Sequence, residues 1–123
     1  MKVKLVTQPQ NSNLCGQACV ATIAGKSIED SIKAFGGKSG KTRTRDVVYA
    51  LHTLGVECGD KLTRISKKTG KTNCCIVKLH FDNTKNTHWT VFYNGLFYDP
   101  ALGILKDYSE GTRQTSFLPI EMR

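Results

Sequence analysis

A chain of 123 residues, 39% hydrophobic with 11 Gly and 3 Pro, can bury one core and is too apolar to be disordered. Its five cysteines cannot all pair internally, and neither a secretory signal nor the ~20 apolar residues of a bilayer span is evident, so free thiols and a cytosolic (cytoplasmic) setting are expected. Eighteen Lys+Arg against ten Asp+Glu, a formal charge of +8, favour acidic partners, nucleic acid among them.

Val3–Val6 reads as a short strand or an extended arm. Asn13 is a good N-cap for a helix running to about Ala24 and stopping at Gly25. Leu14, Ala18, Val20, Ala21, Ile23 and Ala24 leave that helix little polar surface, so it should be largely buried. Ser27–Asp30 resembles a capping box with Asp in place of Glu, and Ile28, Ile32 and Phe35 form a helical stripe up to Gly36-Gly37. A third helix is expected from Thr44, with Val47, Leu51 and Leu54 on one face and Gly55 closing it.

Beyond Gly55 the pattern is that of strands. Cys75, Val77, Leu79 and Phe81 alternate with Cys74, Ile76, Lys78 and His80, a period of two with an apolar face. His88–Tyr93 and Leu96–Asp99 flank Asn94-Gly95, the strongest short signal for a two-residue hairpin turn. Pro100 ends the second strand. Phe117–Glu121 reads as an edge strand, because Pro119 cannot donate to a central ladder. Helices first and strands after give an α+β domain spanning 1–123, with an N-terminal buried helix packed on an antiparallel sheet.

The hairpin carries a chemical consequence. If Asn94-Gly95 is the whole loop, Tyr93 faces Leu96, Phe92 faces Phe97, Val91 faces Tyr98 and Thr90 faces Asp99. His88, Thr90, Phe92, Phe97 and Asp99 then share one side, with His88 and Asp99 diagonal neighbours at roughly 7–8 Å between backbones. A one-residue slip would separate them. Cys15, in the first turn of its helix, sits where unpaired N–H groups and the helix dipole favour an anion, which lowers a thiol's pKa. A thiol, an imidazole and a carboxylate are the parts of a cysteine nucleophile, its base and the acid that orients the base. Gly16 is expected to keep the nearby surface clear. Cys19, Cys58, Cys74 and Cys75 read as buried structural residues, and Phe92 and Phe97 as pocket or core.

Gln8, Leu14-Cys15-Gly16-Gln17-Ala18-Cys19, His88-Trp89 and Tyr98-Asp99-Pro100 together resemble the C39-like branch of papain-fold cysteine peptidases, over roughly Leu5 to Gly103. That resemblance implies a papain-like fold and a hydrolase that cleaves a peptide or isopeptide bond through an acyl-enzyme. It implies Cys15 as nucleophile, His88 as general base and acid, Asp99 as the orienting group and Gln8 as oxyanion donor, with no cofactor and no metal. The family's Gln usually stands six residues before the Cys, where this chain has Pro9, so Gln8 and Gln10 both compete for the oxyanion role. Deamidase and acyl-transfer chemistry use the same triad.

Two other patterns fall short. Gly36–Thr42 lacks the spacing of a phosphate loop and follows a helix rather than a strand. Cys15 and Cys19 with Cys74, Cys75, His80 and His88 lack zinc-ligand spacing, and adjacent cysteines on a strand point to opposite faces. The basic clusters Lys38–Arg45 and Arg64–Lys71 read as solvated loops. The expected partner is a peptide or protein substrate without membrane contact. The alternative reading is a catalytically idle binding protein that engages nucleic acid or an acidic protein through those loops.

Overall fold

A computed structural model describes residues 3–121. Three helices come first: α1 (Cys15–Ala24), α2 (Ile28–Ala34) and α3 (Thr44–Thr53). Six strands follow: β1 (Thr63–Arg64), β2 (Cys74–Phe81), β3 (Thr87–Tyr93), β4 (Leu96–Asp99), β5 (Gly103–Leu105) and β6 (Thr112–Pro119). They form one antiparallel sheet in the order β1-β6-β2-β3-β4-β5, and the class is α+β.

Gly25 ends α1 in the left-handed region at φ 69°, as its position suggests. The start of α1 is one residue later than an Asn13 cap requires: Leu14 holds the cap position and no side chain caps the helix. Its first N–H groups are therefore left for other partners. In α2, Ser27 Oγ accepts the Asp30 N–H at 3.1 Å. The buried residues there are Ser31, Ala34 and Phe35, whereas Ile28 and Ile32 are half-exposed. The α1–α2 seam explains the rotation, since Ser31 Oγ donates to Gln17 O at 2.7 Å and a small polar residue must face α1. α3 opens with Asp46 Oδ2 accepting the Arg43 N–H at 2.8 Å, and it buries Val47, Ala50 and Leu51.

β2 lies at the centre of the sheet, so the alternation read as one apolar face serves two cores. Cys74 and Ile76 join Trp89, Val91 and Leu118 under the helices; Cys75, Val77 and Leu79 join Phe97 and Phe117 on the other face. The edge-strand expectation for Phe117–Glu121 is corrected: β6 runs Thr112–Pro119 and pairs with both β1 and β2. Pro119 is tolerated because it is the last residue of the strand, where its carbonyl still accepts the Gly59 N–H at 2.9 Å. The actual edges, β1 and β5, are two and three residues long. Val3–Val6 form no strand. The arm is strapped down by Val6 N–H to Thr22 Oγ1 at 2.9 Å and Gln8 N–H to Pro100 O at 3.0 Å.

Asn94 (φ 48°) and Gly95 (φ 84°) both take the left-handed conformation of a type I′ turn. The register is Val91↔Tyr98, Phe92↔Phe97 and Tyr93↔Leu96, the one derived from a two-residue loop.

Candidate active site

β4 pairs with β3 only from Val91 to Tyr93. Beyond Asp99 the chain turns away, because Pro100 has no N–H to offer and Asp99 Oδ1 accepts the N–H groups of Ala101 and Leu102 at 2.8 and 3.0 Å. The start of β3 thus keeps an unpaired edge. Trp89 is in phase with Val91 and Tyr93, so its N–H points to that edge. There it donates to the Cys15 sulfur, and the Gly16 N–H reaches the same atom. The uncapped start of α1 is docked where a strand would otherwise have continued.

The same edge brings the imidazole to the thiol. His88 Nε2 lies 3.0 Å from Asp99 Oδ1, closing the diagonal of the hairpin. With Nε2 engaged, Nδ1 is the nitrogen left for Cys15, and the two side chains are hydrogen-bonded. Asp99 is fully buried. Its Oδ2 accepts the hydroxyl of Tyr108, whose oxygen also lies 2.9 Å from Thr90 Oγ1. The carboxylate is therefore held from four directions, and neither it nor the imidazole is free to turn.

Electrostatics follow from these contacts. Burial raises the Cys15 thiol, but the His88 hydrogen bond, the Trp89 N–H, the charge on His88 and the Gly16 N–H outweigh it, and the thiol lies below its ordinary value. Burial lowers His88, yet the hydrogen bonds and charges of Asp99 and Cys15 push it up to about 9. Burial raises Asp99, and His88, Tyr108 and the Ala101 N–H together hold it low. The other cysteines move the opposite way from Cys15. Burial pushes Cys74 and Cys58 up to about 11 and Cys75 up to about 12, and it raises Cys19 as well. Cys58 lies 3.8 Å from His52 Nε2, but its thiol is raised, not activated.

Gln8, Cys15, Thr42 and His88 line one cavity of about 110 Å³. Gln8 Nε2 donates to Ser12 O at 2.9 Å, and Gln8 Oε1 is buried without a partner. Gln10 is exposed and lines none of this cavity. The turn between Gln8 and Cys15 is shaped by Asn11 at φ 57° and by Ser12 Oγ donating to Pro9 O at 2.6 Å.

One residue of the Cys15 motif acts differently from expectation, and its neighbour Gln17 has a role of its own. Gly16 does not keep the surface open: it is buried, and a Cβ there would stand 2.1 Å from Thr42 Oγ1 and 3.4 Å from Trp89 Cδ1. Its role is to let Thr42 close over the helix start. Gln17 is fully buried and donates to Lys38 O at 2.9 Å and Gly40 O at 3.0 Å, fixing the loop that carries Thr42. Phe92 and Phe97 pack at 5.0 Å between ring centres, tilted by 55°, within the second core and line neither the Cys15 cavity nor the larger one beside it. That larger cavity, about 560 Å³, lies against His88 and Asp99 and is walled by Phe81, Leu102, Leu105 and Tyr108.

Sequence reasoning missed Tyr108, Thr42 and the Trp89 N–H. Tyr108 stands nine residues past Asp99 in the loop between β5 and β6, with no local pattern to mark it. The Trp89 N–H was in principle legible, since hairpin phase plus Pro100 specifies an unpaired donor on that edge. No protein-family model matches the chain, and no curated protein matches its sequence.

Proposed function

We propose that the chain is a thiol hydrolase acting on acyl carbons through Cys15. More narrowly, we propose a peptidase of papain-like fold resembling the C39-like branch, which cleaves a peptide or isopeptide bond. The observation that carries the reading is the meeting of Cys15 with His88 and Asp99 at the unpaired edge of β3, which favours thiolate and imidazolium in one pair.

The chemistry follows from the atoms present. The Cys15 thiolate attacks the carbonyl carbon, and the carbonyl electrons move to oxygen. The Cys15 backbone N–H, at the first position of a helix that no side chain caps, and an N–H of the Gln8 amide serve that oxyanion. His88 gives its proton to the leaving amine as the C–N bond breaks, leaving a thioester on Cys15. Water then attacks the thioester, His88 takes its proton, and the thiolate departs. Asp99, itself held by Tyr108, keeps Nε2–H paired and Nδ1 aimed at the sulfur throughout. The larger cavity beside His88 suits an apolar substrate side chain, with Leu102 and Leu105 as its walls.

The test is digestion of a synthetic peptide pool followed by mass spectrometry. Wild-type protein is expected to generate new internal termini that the Cys15→Ala protein does not. Identical termini from both proteins, or none from the wild type, would defeat the reading.

A further inference from the structure

The basic segment Lys38–Arg45 is not a solvated loop apart from the site. Its backbone is fixed by the buried Gln17 amide, its Thr42 closes over Gly16, and Lys41 and Thr42 line the Cys15 cavity itself. A third cavity, of about 630 Å³, continues from there, sharing Lys41, Thr42 and Thr87 and adding Arg43, Arg45 and Lys78. One carboxylate stands in this region. Asp46 takes Lys38 at 3.1 Å and lies 3.8 Å from Arg43 Nε, which uses up its charge in tethering the loop. Among the described residues, Lys41, Arg45 and Lys78 have no carboxylate within ion-pair distance.

Resting on the peptidase reading above, we infer that the groove formed by Lys41, Arg43, Arg45 and Lys78 selects peptides bearing Asp or Glu within a few residues of the bond that Cys15 cleaves. Three observations carry this beyond a general attraction of a +8 chain for anions. The cations are held at the mouth of the cavity that contains the nucleophile, so a ligand in the groove presents its backbone to Cys15. Lys41 and Arg43 stand on a loop whose backbone is pinned, and Arg45 and Lys78 on α3 and β2, so less backbone freedom is lost when a carboxylate is bound. The groove itself is lined by Lys, Arg and Thr, and the Trp89 ring beside Cys15 lies under Lys78 and is buried, which suits carboxylates and not stacked bases. The other basic cluster lies elsewhere: Lys71 sits over the Phe92 ring at 4.3 Å, on the core face away from the helices, whereas Lys78 of the groove lies 5.6 Å over the Trp89 ring beside Cys15.

The experiment uses the peptide pool again, at low and high salt, with wild-type protein and with Arg45→Glu and Lys78→Glu. At low salt, Asp and Glu are expected to be enriched on one side of the wild-type cleavage sites. A chosen site is expected to be cut about tenfold faster than its Asn/Gln counterpart, with the gap shrinking several-fold at ~0.5 M salt. The Glu variants are expected to lose that enrichment or to favour Lys and Arg instead. The salt arm on wild-type protein decides the matter even if a variant folds poorly. Cleavage dependent on Cys15 without acidic enrichment, or with enrichment indifferent to both salt and charge reversal, overturns this inference and leaves the peptidase reading standing. Tight, salt-sensitive binding of a single-stranded RNA oligomer with no acidic cleavage preference overturns it too. Absence of any Cys15-dependent cleavage overturns both.

Discussion

At Cys15 the sulfur receives N–H groups from Trp89 and Gly16 and an imidazole from His88, whereas at Cys74 desolvation acts alone. That contrast, two thiols of one chain moved in opposite directions, is set by neighbours and not by burial. Tyr108→Phe removes one donor from the Asp99 carboxylate and leaves the ring in place. We expect a kcat about tenfold lower with KM little changed and ~1 kcal/mol lost in stability, checked by steady-state kinetics and denaturant unfolding; an equal loss in kcat/KM through KM alone would remove Tyr108 from the positioning set. Gly16→Ala drives a methyl into Thr42 Oγ1. It should destabilise by about 1–3 kcal/mol, and Gly16→Ala/Thr42→Ala should recover much of that in a double-mutant cycle. His88 and Asp99 were legible at this scale because one turn fixes both. Thr42 and Tyr108 were not, since each reaches the site from a loop whose path only tertiary packing decides.

Among the elements, the β3–β4 hairpin carries the most information per residue. Two residues in the left-handed region set a register, the register sets which face His88 and Asp99 share, and Pro100 opens the edge that α1 fills. Gly95→Val places a β-branched residue at φ 84°, so melting should fall by an amount worth at least ~1 kcal/mol, and Cys15 reactivity should fall with it. Differential scanning calorimetry and thiol titration on the same samples check both. Helix limits were readable from Gly25, Ser27 and Gly55, because caps are local chemistry. The rank of strands was not. Pro119 argued for an edge, but a proline at the last residue of a strand costs no ladder bond, and the short β1 and β5 hold the edges instead. Likewise β2 was read with one apolar face, because a sequence shows alternation but not how many neighbours a strand has.

For the molecule as a whole, the Cys15–His88–Asp99 cluster links folding to pH. His88 rises from an unfolded value of ~6.5 to about 9 in the fold. Its contribution to stability is therefore fully present below ~6.5 and is lost as pH climbs through about 9. Asp99 is held low, so its contribution is present above the ordinary carboxylate value and is lost as pH falls through its lowered one. The stability gap between wild type and His88→Gln should accordingly be wider at pH 6 than at pH 9.5, by on the order of 1–3 kcal/mol. A gap independent of pH in urea titrations would contradict the assignment. At this scale the α+β class was readable from helices preceding strands, while the adjoining of the basic loop and the nucleophile was not. Gln17 joins them through two backbone carbonyls more than twenty residues away along the chain.

The proposed activity requires Cys15 and His88 to form a thiolate–imidazolium pair. Its most direct measurement is the rate of iodoacetamide alkylation at each cysteine between pH 4 and 10, read by mass spectrometry, in wild type and His88→Ala. Cys15 is expected to react first, with a rate already high below neutral pH, and His88→Ala to slow it at least ~10-fold while moving its profile up toward that of an ordinary thiol. A Cys15 that alkylates no faster than a free thiol, or whose rate and profile ignore the loss of His88, would contradict it.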